Sequence, residues 1–183
     1  MKSQKVKEIK NCIQNFSKII RLEKENIENL KKITMLLKRY KKKNKVHVFG
    51  NGGSATIASH FSMDLTNNTS IKCFNYNDPS LITCYSNDFK YENWISRTIR
   101  KYGNRNDLLI LISSSGNSKN MINAHKEAKK KKFYKTISFT GFEKKNKLGK
   151  LTDINFWINS KNYNLVESAH NFFLLTLVDV LKK

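Results

Sequence analysis

Two stretches of this chain share one layout: an apolar run, a cluster of Gly, Ser and Asn, then a segment compatible with a helix. They are VHVFGNGGSATIASH (46–60) and LLILISSSGNSKN (108–120). Three of the seven glycines fall within four residues of the first stretch. A chain that repeats strand, polar turn and helix is constrained to an α/β fold, because helices must cover both faces of its apolar strands. Further strand patterns lie at 71–75, 134–141 and 154–158. Helical patterns lie at 53–66, at 91–102 with Trp94, Ile95 and Ile99 on one side, at 118–131 and at 164–182. The alternation predicts a parallel sheet with helices on both faces. Residues 77–88, NDPSLITCYSND, hold the only proline and read as turn-rich at both ends. Residues 5–42 place Ile, Leu and Phe at spacings of three and four among Lys and Glu, which predicts one long amphipathic helix or two. KRYKKKNK (38–45) reads as a charged connector.

In an open parallel sheet, ligands bind beyond the carboxyl ends of the strands. Both polar loops are predicted at that edge. GNGGS comprises Gly50, Asn51, Gly52, Gly53 and Ser54. It matches neither the dinucleotide fingerprint nor the P-loop, since no Lys follows at the required place. Alone it is as consistent with a plain turn as with a site. SSSGNS comprises Ser113, Ser114, Ser115, Gly116, Asn117 and Ser118. Capping a helix needs one such residue. The surplus of hydroxyls at a helix start favours a phosphate cradle built without cationic side chains.

Other polar residues carry open alternatives. His60 and Asp64 are four apart on one predicted helix and share a face. They form a metal or proton-transfer pair, or an ordinary surface ion pair. Glu167 and His170 interrupt the apolar segment LVESAHNFFLLTLVDVL. They belong to a site at a helix or subunit contact, or to the exposed stripe of the last helix. Asn87 and Asp88 read on their own as turn formers. His47 and His125 read as structural.

The 183 residues suit one domain, and 11 Phe, 7 Tyr and 2 Trp can fill its core. The formal net charge of +21 points to an anionic partner or to solvated surface lysines. No recognised nucleic-acid motif accompanies that charge. Cys12, Cys73 and Cys84 lack metal-type spacing, and with no secretory segment in view they predict reduced thiols in the cytoplasm. No apolar run reaches the roughly 20 residues that span a bilayer.

Taken in order along the chain, GNGGS (50–54), His60-x-x-x-Asp64, SNDF (86–89), SSSGNS (113–118), TG (140–141) and VESAH (166–170) resemble the sugar isomerase (SIS) family, and within it the phosphoheptose isomerases. The resemblance covers nearly the whole chain. It implies a single domain over 1–183: a three-layer, flavodoxin-like α/β sandwich on a five-stranded parallel sheet (46–183). The N-terminal helical segment 1–42 would be used in oligomer packing. It implies a homotetramer with sites between subunits, and interconversion of sedoheptulose 7-phosphate with a heptose 7-phosphate through an enediol, for lipopolysaccharide or capsule synthesis.

The resemblance places phosphate contacts on Ser113, Ser115 and Ser118, with Ser114 in the same loop and Ser54 nearby. Sugar contacts fall on Asn51, Gly52, Gly53, Asn87 and Asp88. It implies Asp64 as base, where the family has Glu, and it sets Glu167 where the family has Gln; the expected proton relay is His170 or Glu167, from this or a neighbouring subunit. The family's second His on the last helix is Leu175 here. That removes a proposed acid and metal ligand, and leaves His60, Asp64 and Glu167 as the zinc ligands the resemblance allows. The same departures motivate a rival expectation, a phosphosugar-binding protein with a regulatory or protein-interaction role and no turnover.

Overall fold

The computed structural model describes residues 2–21, 23–40 and 44–182. Leu22 and Lys41–Lys43 of the predicted connector lie outside them. Five strands form one parallel sheet: β1 (Lys45–Gly50), β2 (Lys72–Phe74), β3 (Leu108–Ser113), β4 (Lys135–Thr140) and β5 (Ile154–Trp157). Their spatial order is β2-β1-β3-β4-β5. Successive side chains of a strand point to opposite faces, and both faces here are apolar. Val46, Val48, Ile110, Ile112, Ile137 and Phe139 belong to one buried cluster, and Phe49, Leu109 and Leu111 to another.

The first cluster is closed by α2 (Lys24–Lys38), α3 (Gly53–Asn68) and α8 (Tyr163–Leu181) through Ile33, Phe61, Leu65, Leu174 and Leu177. The second is closed by α5 (Trp94–Tyr102) and α6 (Lys119–Lys130) through Trp94, Ile95, Ile99, Met121 and Ala124. The result is the expected three-layer sandwich. The N-terminal pattern resolves into two helices, α1 (Lys2–Ile20) and α2. From α2, the Asn26 and Asn29 side-chain amides donate to the Trp157 and Asn155 carbonyls at 2.7 and 2.9 Å. They thereby occupy acceptors on the edge strand β5.

Two local readings need correction. Residues 77–88 are mostly helical, as α4 (Pro79–Phe89). The Asp78 side chain accepts from the Leu81 N–H at 2.9 Å, and Pro79 stands in the first turn, where its missing N–H costs nothing. A five-residue helix, α7 (Lys147–Leu151), was not expected; Asn146 caps it by accepting from the Gly149 N–H at 2.8 Å. His47 is structural as predicted: its Nε2 lies 2.8 Å from the buried Asp107 carboxylate.

Candidate active site at the strand-order reversal

In the order β2-β1-β3-β4-β5 the chain turns outward in opposite directions from β1 and β3, which opens a crevice at their carboxyl ends. GNGGS leaves β1 at this point and SSSGNS leaves β3. The two loops therefore face each other across the crevice. The Gly52 φ of +54° is a conformation that side chains disfavour, and it lets the backbone turn directly into α3.

Asn51, Ser54, Ser113, Ser114, Ser115, Ser118, Tyr163 and Glu167 line a cavity of about 180 Å³. Ser118 occupies the N-cap position of α6, yet its side chain caps nothing. Its Oγ instead lies 3.3 Å from Ser113 Oγ. Ser114 Oγ is buried without a protein partner. Neither α3 nor α6 has an acidic residue in its first turn. A helix start with unspent hydroxyls and no carboxylate in its first turn attracts an anion. The capping explanation for the serine surplus is thus not met by the geometry of Ser118.

Glu167 comes to this cavity from α8. Its Oε1 accepts from Ser54 Oγ at 3.4 Å. A Cβ on Gly53 would collide with the Glu167 carboxylate, so the glycine makes room for this approach. Asn51 pairs with Asn120 of α6: Asn51 Nδ2 donates to Asn120 Oδ1 at 3.1 Å, and Asn120 Nδ2 donates to Asn51 Oδ1 at 2.8 Å. The Tyr91 hydroxyl, from the 3-10 turn Tyr91–Asn93, donates to Asn51 Oδ1 at 3.1 Å. Sequence reasoning missed Asn120, Tyr91 and Tyr163. Only the proximity of Asn120 to the Ser loop could have marked one of them.

The other expected residues lie elsewhere. Asn87 and Asp88 are exposed at the end of α4 and bond each other, Nδ2 to Oδ1 at 3.0 Å, outside this cavity. His170 does not face the cavity. It is fully buried, with Nε2 3.1 Å from the Thr140 carbonyl and its ring packed edge-on to Phe139. Burial lowers its pKa to about 4, so it is neutral near pH 7 and sealed from a substrate.

His60 Nε2 and Asp64 Oδ2 lie 3.3 Å apart on α3, with side chains 46% and 28% exposed. Asp64 lies ten positions after Ser54, which is about 15 Å along α3. Asp179, and in smaller measure Asp64, raise the pKa of Lys182, so Asp64 stands near the far end of α8. Glu167 belongs to the opposite end. The donor set expected for zinc therefore does not assemble within one chain: among the described residues no three His, Cys, Asp or Glu side chains converge.

Fold and site together define a doubly wound α/β domain with a phosphate-type cradle and one carboxylate beside it. The chain belongs to the SIS domain family, whose sequence model matches residues 9–141. It is 36% identical over 168 residues to the phosphoheptose isomerase of Buchnera aphidicola subsp. Acyrthosiphon pisum, covering 88% of this chain and 86% of that one. It is 33% identical to the phosphoheptose isomerase of Aliarcobacter butzleri, covering 99% and 97%. The fold is that of the Neisseria gonorrhoeae phosphoheptose isomerase structure, with a TM-score of 0.86 at 23% identity over 99% of each chain. A Francisella tularensis phosphoheptose isomerase follows, with a TM-score of 0.82 at 24% identity over 96% and 97%.

Proposed function

We propose that this chain is a phosphoheptose isomerase, interconverting sedoheptulose 7-phosphate and its aldose partner through an enediol. One observation carries the reading: the Glu167 carboxylate enters the cavity that the two SIS loops form, against Ser54. The Ser113–Ser118 loop and the α6 N-terminus hold the phosphate. That charge anchors the sugar so that its carbonyl end is oriented by binding energy spent at the other end.

Isomerisation moves a proton from the carbon next to the carbonyl to the carbonyl carbon, and a second proton between the two oxygens. Glu167 is placed to carry the oxygen-to-oxygen proton. Asp64 stands about 15 Å along α3 from Ser54 of its own chain's cavity, so we assign it as the carbon base of a neighbouring chain's cavity. Exposed apolar side chains support such a neighbour: Met63 beside Asp64, Phe172 and Val180 on α8, and Val6, Ile9 and Ile13 on α1. The assembly we assign is a homo-oligomer, a tetramer in this family. A cytoplasmic place in heptose supply for lipopolysaccharide or capsule fits the free Cys12, Cys73 and Cys84. No described helix is long and apolar enough to cross a membrane. The lysine-rich surface is assigned to solvation, with no specific nucleic-acid partner.

The test is NMR turnover of sedoheptulose 7-phosphate with and without added zinc. Wild type should turn over, and Glu167→Ala and Asp64→Ala should each lose about 10²–10⁴ in kcat. Oligomers refolded from a mixture of the two variants should regain activity, because some cavities then hold one intact Glu167 and one intact Asp64. Phosphosugar binding without wild-type turnover would instead favour the binding-protein reading that Leu175 motivates. Failure of the mixture to regain activity would refute the two-chain assignment.

A further inference from the structure

The Asn51 amide has little freedom. Asn120, only 2% exposed, stands in the first turn of α6. Its Oδ1 accepts from the Met121 backbone N–H at 3.0 Å, a donor that also lies 3.1 Å from the Ser118 carbonyl. A backbone N–H can only donate, so it is the Asn120 oxygen that must face it. Asn120 Nδ2 is thereby aimed at Asn51 Oδ1, 2.8 Å away, and Asn51 Nδ2 returns a bond to Asn120 Oδ1 at 3.1 Å. The Tyr91 hydroxyl supplies a second donor to Asn51 Oδ1 at 3.1 Å. Both lone pairs of Asn51 Oδ1 and one of its two Nδ2 protons are then engaged. One N–H is left for the cavity that Asn51 lines.

The two ends of an amide have nearly the same shape, so an unanchored Asn offers a ligand either a donor or an acceptor. We propose that Asn120 and Tyr91 are positioning residues that hold the Asn51 amide with its N–H toward the ligand, making Asn51 a donor to a substrate oxygen. In the isomerase proposed above, the oxygen that gains from a fixed donor is the carbonyl that becomes the enediolate, since charge develops there. The kinetic consequence rests on that function, whereas the amide orientation does not. A reversed amide would set its own carbonyl against the developing charge.

Asn120→Asp tests this. The change keeps the shape but replaces the donor to Asn51 Oδ1 by an oxygen, so the pair no longer fixes which end of the Asn51 amide faces the cavity. The kcat on sedoheptulose 7-phosphate should fall at least about tenfold, with a much smaller change in KM. The new carboxylate stands in the first turn of α6 and weakens binding of inorganic phosphate on its own account, so the Kd for phosphate is compared in Tyr91→Phe, which adds no charge and should leave it unchanged. Tyr91→Phe removes one hydroxyl from a side chain 53% exposed. It should leave the Tm unaltered and lower kcat about fivefold.

Unchanged kcat in both variants overturns the proposal. So does a Tyr91→Phe loss of kcat matched by falls in phosphate affinity and Tm, which marks a structural role alone. Should wild type not turn over this sugar, the side-chain amide 1H–15N signals of Asn51 decide. Adding sedoheptulose 7-phosphate should shift one Asn51 Nδ2 proton in wild type and shift it less in Asn120→Asp. No shift in wild type overturns the proposal independently of catalysis.

Discussion

His170 and Glu167 stand three residues apart on α8, yet they meet opposite environments. Three helical residues leave an offset of about 60°, enough to send Glu167 to the cavity and His170 against Phe139. Sequence spacing placed them together because it reads a face, and a face is wider than a site. Burial lowers the His170 pKa to about 4 from its ordinary 6.5. Below pH 6.5 the unfolded chain therefore binds a proton that the folded chain refuses. Stability is lost as pH falls from there to about 4, by roughly 3 kcal/mol in total. His125, lowered by burial and by Lys129, acts in the same direction. Comparison with His170→Gln, which keeps a donor for the Thr140 carbonyl, isolates the His170 share. Urea midpoints between about pH 7 and pH 4 should fall more steeply for wild type than for the variant. Parallel curves would show that His170 is protonated in the folded state.

At the scale of elements, the site is a meeting of helix starts. The approach of α8 to α3 is set where Glu167 lies over Gly53, and a Cβ there would land on the carboxylate. The end of a long side chain can swing aside, whereas backbone cannot. Gly53→Ala should thus change folding stability by no more than about 1 kcal/mol, while lowering kcat because Glu167 leaves Ser54. Calorimetry and turnover on one preparation separate the two effects, and unaltered kcat would remove Glu167 from the chemistry.

The strands were readable because central parallel strands are apolar on both faces, as Leu108–Ile112 is. The loops were readable because Ser and Asn exceed what capping needs. The start of α4 carried helix signals, Asp78 then Pro79, that read equally as a turn. The short α7 has too few residues for a periodicity to appear. Asn120 carried no pattern because its role depends on Asn51, 69 positions away, across the crevice.

On the whole molecule, two features pull in opposite directions. The exposed apolar side chains of α1, Ile9 at 59% and Ile13 at 62% among them, favour burial against another copy. A formal net charge of +21 on every copy opposes it. Burial of apolar surface is insensitive to screening, whereas like-charge repulsion weakens as the Debye length falls from ~10 Å at 0.1 M to ~3 Å at 1 M ionic strength. Raising sodium chloride across that range should therefore tighten self-association, read as a rising average mass in sedimentation equilibrium. The pair Ile9→Asp and Ile13→Asp should weaken association at every salt concentration, and activity should fall with it if Asp64 serves a neighbouring cavity. Loosening by salt would mean that ion pairs hold the copies together. The apolar faces of α1 and α8 would then not be the contact, and the route by which Asp64 reaches a second cavity would have to run through charged surface.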